Sequence, residues 1–367
     1  HGHVFVGANV PFGLVQVGPT SIPQTWDWCS GYHASDSTVI GFSHTHLSGT
    51  GIGDLFDITV MPVVGEVTYA RGEENDPASG LWSYADRTRE ITKPGYYSVP
   101  LVRYGITAEL TATARVGLHR YTFPASDAAA VVFDLENGGC WDKATETHLA
   151  KEGDRTVTGW RHSTGWAKDQ RVYFAAEFSK PFEKFETIGD NYARASFRTT
   201  DGEQVSLKVA LSPVSVEGAK ANLAAELSGW DFDATAKAAD KAWNDELSKV
   251  KIETADETAR RIFYTALYHT MIAPSLFCDV NGDYYGSDHA IHRNADFTNY
   301  TTFSLWDTYR AAMPLMTVLH PEKMADIVQT MLHISDEQGR LPVWHLWGNE
   351  TDCMVGNPGI VAVADAI

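Results

Sequence analysis

The feature that most constrains this chain is a change of period near residue 217. Before it, the stretches "VGEVTYARG", "GYYSVPLVRYGITAELTATARVGLHRYTFP", "AAVVFDLEN", "RVYFAAEFS", "YARASFRTT" and "QVSLKVALSPVSV" alternate apolar or β-branched residues with polar ones, separated by Gly, Pro, Asp and Asn. Many short alternating runs of this kind predict a sandwich of antiparallel strands. After it, "GAKANLAAELSGWDFDATAKAADKAWNDELSKVKI" is rich in Ala, Lys, Glu and Leu at helical spacing, and "DETARRIFYTALYHTMIAPS", "TFSLWDTYRAAMPLMTVLH" and "HPEKMADIVQTMLHISDEQ" continue that period. The expected organisation is an N-terminal β-sandwich over 1–216, a helical linker over 217–252 and a helical domain over 253–367. The final apolar run "MVGNPGIVAVADAI" also reads as helix, and the sequence stops inside it without a cap, so more protein is expected to follow.

Charge narrows the partners. Lys plus Arg total 29 against 47 for Asp plus Glu, a net charge of -18 with no long block of either sign, which disfavours nucleic acid and anionic membrane surfaces. No apolar run is long enough to span a bilayer, and the opening His1-Gly2-His3 lacks the charged start of a signal peptide. The 11 Trp and 15 Tyr include flat surfaces of the kind on which sugar rings stack, although most such rings are core. Cys29, Cys140, Cys278 and Cys353 lie far apart, so no CxxC metal or redox motif exists and the pairing stays open.

The stretch "CSGYHASDSTVIGFSHTHLSGTG" places His44 and His46 two apart, so an extended chain presents both imidazoles to one side. With no cysteine or carboxylate at ligand spacing, hydrogen bonding is the expected role rather than zinc.

Taken with "VPFGLVQVGPT", "DITVMP", "FYTALYHTMIAPS", "DVNGDYYG", "FSLWDTYRAAMPL" and "GNETDCMVG", that stretch resembles glycoside hydrolase family 92, the calcium-dependent exo-α-mannosidases. The seven segments keep the family's order from residue 10 to residue 356. The resemblance implies a β-sandwich packed on an (α/α)6 barrel, of which only the first part falls within these residues. It implies inverting hydrolysis of terminal α-mannosides, such as those of N-glycans, with Ca²⁺ bridging the 2- and 3-hydroxyls of the sugar. A secreted, periplasmic or cell-surface location is the matching expectation. The acid and base of the family are expected beyond residue 367. Cleavage of a mannosyl phosphodiester is the alternative within the enzyme class, and a non-catalytic mannoside-binding protein is the alternative outside it.

Five residues are candidates for contact with the sugar. In "FSLWDTYR", Trp306 and Asp307 begin a helix. Asp307 there could cap the helix, but Ser304 is available for that, which frees the carboxylate for two sugar hydroxyls. In "GRLPVWHLWGNETDC", Trp344 is expected as a sugar platform within a loop that also carries His345, Trp347, Asn349 and Asp352. Glu350 is expected to bind substrate, with proton donation as its weaker role, since an inverting pair needs one protonated carboxyl. In "TWDWCSGYH", the resemblance implies that Trp28, rather than Trp26, reaches over the barrel mouth. Three further groups have structural readings. "DVNGDYYGSD" spaces Asp279, Asn281, Asp283 and Asp288 like a calcium loop, but its early glycine and Ala290 at the closing ligand position favour an Asn-Gly turn. Asp142, Lys143, Trp160, His162 and Trp166 are read as interface or satisfied polar groups.

Overall fold

The computed structural model describes residues 2–136 and 141–367; Cys140 lies outside them. Two antiparallel sheets dominate the first part. One has six strands, in the order Gly18–Thr20, Gly41–Ser43, Thr59–Val64, Ser126–Asp134, Tyr192–Thr199 and Lys184–Ile188. The other has eight, in the order Lys143–Glu152, Thr156–Thr164, Gln170–Phe178, Glu203–Ser212, Val116–Phe123, Ile106–Ala112, Tyr96–Leu101 and Ile91–Lys93. Alternation sets their register: Val131 pairs with Pro62 on one side and Ala195 on the other, and Val60, Phe133, Phe174 and Leu207 lie buried between the sheets.

The expected strands are present, with two corrections. In "VGEVTYARG" only Val64 belongs to a strand; residues 65–72 are half-buried or exposed and lack a strand partner. Conversely, Lys143–Glu152 and Thr156–Thr164 form a long hairpin that the polar character of "CWDKATETHL" concealed.

Seven α-helices follow among the described residues: α1 (Val216–Glu226), α2 (Phe232–Leu247), α3 (Glu257–His269), α4 (Leu305–Thr308), α5 (Ala312–Leu319), α6 (Pro321–Gln338) and α7 (Pro358–Ala366). Side-chain oxygens of Ser215, Asp231 and Asp256 accept from first-turn amides and start the first three. The segment expected as one helix over 302–320 is broken between α4 and α5. Pro314 explains the break, because proline is tolerated in a first turn and not in a helix interior, so the helix restarts just before it. Trp243, Leu267, Met313, Met316, Ile327 and Met331 form the helical core, which Phe12 of the N-terminal part enters.

The two parts share more than a linker. The sandwich core runs on into Leu276, Phe277, Tyr285, Trp344 and Trp347 of the connecting loops, so apolar burial fixes the helical part against the sandwich. At this junction a small three-stranded sheet orders Phe303–Ser304, Trp344–Leu346 and Asn349–Glu350.

Candidate functional site

That small sheet draws together residues that the sequence separates by more than one helix. Ser304 pairs with Trp344, and His345 pairs with Glu350. Ser304 does not cap α4; its hydroxyl donates to the Asp307 carboxylate at 2.6 Å, and the Asp307 side chain stays exposed. With only one turn of helix behind it, Asp307 gains little from a helix dipole, so capping does not account for this carboxylate. Trp306 is half-buried, with the Arg310 guanidinium 5.5 Å from its ring centre.

Glu350 is committed to the backbone. Its two oxygens accept from the amides of Val343 at 2.8 Å and Trp344 at 3.0 Å. A proton donor needs its hydroxyl aimed at a substrate, whereas these oxygens are engaged in holding the strand that carries Trp344. The geometry therefore corrects the weaker reading of Glu350 as an acid. Partial burial first, then the charges of Glu350 and Asp307, push the exposed Cys353 thiol up.

Trp344 is 3 % exposed, which corrects the picture of an open stacking platform. Its ring meets Trp166 of the sandwich at 4.4 Å between centres and 54°, so it is packed into the junction on the strand that pairs with Ser304. Trp166 sits on a turn whose amides donate to the Asp54 carboxylate, from Trp166 at 2.6 Å and Ala167 at 3.2 Å. Burial first, then the neighbouring Asp142 charge, raises Asp54 to about 6. Further along the turn, the Asn349 side chain donates to the Asp169 carbonyl at 2.9 Å and accepts from the Asp169 amide at 3.0 Å. Trp166 is thus an interface residue, as expected, while Asp54 and Asp169 were not anticipated.

The remaining candidates have other duties. Trp28 stacks on His33 at 4.0 Å and donates to Asp36 at 2.7 Å, half-buried on a loop of the sandwich; Trp26 is the exposed member of the pair at 57 %. No ring contact or hydrogen bond among the described residues joins Trp28 to Trp344 or Asp307. His44 and His46 are buried and donate from Nδ1 to the carbonyls of Ile58 and Gln16. His44 then accepts from His119, which accepts from the Tyr121 hydroxyl, giving a fully assigned neutral chain. Desolvation holds His44 at about 3 and His46 at about 4, as neutral hydrogen-bonding groups. Nε2 of His46 and Oε1 of Gln16 have no partner and line a cavity of about 10 Å³ at the junction, room for one bridging water. The buried Asp142 shares the Arg161 guanidinium with Asp57, each at 2.7 Å. The exposed Lys143 begins a strand, while Trp160 and His162 make contacts to Glu146.

With the geometry in place, comparison with known proteins is decisive. The sequence matches the model of the glycosyl hydrolase family 92 N-terminal domain over residues 1–212 and that of the family 92 catalytic domain over residues 218–367. The chain belongs to glycosyl hydrolase family 92. This family 92 chain is similar to a GH92 α-mannosidase of Bacteroides thetaiotaomicron, with 37% identity and a TM-score of 0.94 over 99% of this chain and 52% of that one. That protein has also been solved in complex with mannoimidazole. A second structure from Bacteroides thetaiotaomicron VPI-5482, described as an inverting mannosidase, matches at 27% identity and a TM-score of 0.87 over 100% of this chain and 50% of that one. An uncharacterized secreted glycosidase of Arthroderma benhamiae is 25% identical over 76% of this chain and 41% of its own length. The chain spans about half the length of the relatives it matches. No helix among the described residues is long and apolar enough to cross a membrane.

Among the described residues, one cluster of acidic and imidazole side chains has metal-ligand spacing, and it does not suit the calcium expected from the family. Asp288, His292 and Glu337 bring one ligand atom each within 4.8 Å of one another. A hard cation of this kind takes six to eight oxygens, and this set includes an imidazole. Its carboxylates are also engaged: Glu337 accepts from Tyr284 and Ser287, and Asp288 from Ala290 and His292. The suspected loop is a turn as expected, with Gly282 at φ +84 following Asn281 and with Asp279 accepting from Ser212 and Asn222.

Proposed function

We propose that these residues form the sandwich face of the substrate pocket in an exported enzyme that removes terminal α-linked mannose with inversion at the anomeric carbon. The observation that carries the proposal is the 37% identity and near-complete structural overlap of this chain with a GH92 α-mannosidase that has been solved with mannoimidazole. The site geometry supports it: an exposed carboxylate is oriented by a serine whose strand pairs with that of Trp344, a ring packed on Trp166 at the junction of the two parts. Asp307 would accept from two sugar hydroxyls beside Trp306, with Trp344 as packed support behind the site and Trp28 approaching from the sandwich.

Inversion requires a protonated carboxyl and an ionised one about 6.5 to 9.5 Å apart, with water between the base and the sugar. Glu350 is used in holding Trp344, so neither role is assigned to these residues. Calcium dependence is part of the proposal through family membership alone, and no step is routed through residues present here. The test is mannose release by the complete enzyme from α1,2-, α1,3-, α1,4- and α1,6-mannobioses and from a mannosyl phosphate. Release from the mannobioses supports the reading, release from the phosphodiester alone would replace it with the alternative, and binding without release would make it a lectin-like protein.

A further inference from the structure

We propose that the sandwich turn over residues 165–169 is a positioning arm for Trp344, anchored by Asp54. The inference deepens the proposed function and rests on it: the strand of Trp344 pairs with Ser304, whose hydroxyl orients the Asp307 carboxylate offered to the mannoside. Trp344 sits on a short strand whose backbone is fixed by Glu350, but a strand fixes only the direction of Cβ; the indole still has two torsions to settle. Trp166 supplies the missing constraint by lying against the ring at 4.4 Å. Aromatic pairs at this separation favour particular tilts, so the orientation of one ring biases the other.

The arm is itself held at both ends. On the sandwich side, one Asp54 oxygen accepts from two successive amides of the turn, and the Gly165 amide donates to the Ala167 carbonyl at 2.9 Å. Asp54 is 1 % exposed, which protects these bonds from competition with water. A Cβ at position 165 would stand 2.7 Å from the Asp54 carboxylate and 2.9 Å from the Asp142 Cβ, so only glycine lets the turn approach its anchor. On the other side, Asn349 grips the Asp169 backbone reciprocally, and the Tyr285 hydroxyl donates to the Asp169 carboxylate at 3.0 Å. Asn349 adjoins Glu350, which holds Trp344. The contacts therefore close a ring from Trp166 to Trp344, Glu350, Asn349, Asp169 and back, and displacement of the arm reaches the indole.

The test uses the complete enzyme with Trp166→Ala, Trp166→Phe and Asp54→Leu, an aryl α-mannoside as substrate, and circular dichroism to follow the coupled indole pair. The expected result for Trp166→Ala is loss of the coupled signal and a rise in KM of roughly tenfold with kcat little changed, the pattern of lost uniform binding. Trp166→Phe should bring KM back toward the parent value, and Asp54→Leu, which keeps the size of the side chain and removes the acceptor of both turn amides, should raise KM as Trp166→Ala does. Unchanged KM in Trp166→Ala, or a fall in kcat and melting temperature together at constant KM, would overturn the assignment. If Trp166→Ala does not fold, Asp54→Leu with parental KM would overturn it equally. An unmodified enzyme that shows the coupled signal but cleaves no mannoside would instead overturn the functional reading beneath it.

Discussion

Ser304 donates its hydroxyl hydrogen to the Asp307 carboxylate across 2.6 Å, and the same serine pairs through its strand with Trp344. Asp307 and Trp344, separated by α5 and α6 in the sequence, are thereby tied to one site. Because the bond leaves Asp307 exposed and spends none of its oxygens on a helix amide, the carboxylate remains able to accept from a ligand.

Replacing Asp307 by Asn keeps the volume and removes the charge. Hydrogen bonds to charged groups are worth about 1.5 to 3 kcal/mol, so the expected outcome is at least a tenfold loss in kcat/KM with little change in melting temperature. Steady-state kinetics on an α-mannoside checks this. Unaltered kinetics would mean that Asp307 serves only Ser304.

Glu350 gives the opposite pattern. Two backbone amides converge on it, and Glu350→Ala would leave both without their acceptor. A loss of about 2 to 4 kcal/mol in stability is expected, with Glu350→Gln intermediate. Denaturant unfolding measures it. A Glu350→Gln protein of full stability whose kcat has collapsed would restore the proton-donor role.

Acid should destabilise the fold, and the sign follows from two opposed sets of groups. Burial depresses His44 and His345 to about 3 and His46 to about 4 from an ordinary 6.5, while the unfolded chain takes up protons near 6.5. Their stabilising contribution is present above pH 6.5 and is lost as pH falls toward their folded values. Between pH 7 and 5 this costs about 2 kcal/mol for each of the three. His119, also pushed down by desolvation and then by His44, acts in the same direction. Asp54 and Asp279 are raised by burial to about 6 from 3.8 and oppose the trend, returning about 1 kcal/mol each over the same interval, and Asp57, also raised by burial, acts with them. The net expectation is a fall of about 3 kcal/mol or more between pH 7 and 5. Urea titrations at a series of pH values test it, and a stability that rises toward pH 5 would contradict it.

Sequence patterns carried the framework of this fold because alternation and helical spacing report one-sided burial directly. Strands such as Ile106–Ala112, where Ile106, Ala108 and Leu110 are buried and Thr107 and Glu109 are less so, and helices such as α6 favour one face and were legible for that reason. The hairpin beginning at Lys143 exposes much of both faces, so no alternation marks it. Site residues divide along a similar line. Asp307, Trp344 and Glu350 stand in conspicuous loops and could be singled out individually. What each touches could not be read, because Asp54 and Asp169 act on backbone amides or side chains more than a hundred residues away. The burial of Trp344 depends on Trp166, which lies in the other part of the chain. Composition carries no signal for such pairings, although the Gly165-Trp166 pair next to a strand end was a local hint of a close approach.

Calcium removal is predicted to abolish activity in the complete enzyme. Exhaustive chelation with EDTA should stop mannose release and added Ca²⁺ should restore it, while magnesium, which prefers a smaller octahedral shell, should restore it poorly. Activity indifferent to chelation would remove calcium from the proposal and leave the family assignment intact.

The central claim is tested most directly by following the complete enzyme on an α-linked mannobiose by proton NMR from the first seconds of reaction. The account predicts that mannose is released and appears first as the β-anomer, converting to the equilibrium mixture only later. No release from any α-mannobiose, or first appearance of the α-anomer, would contradict it.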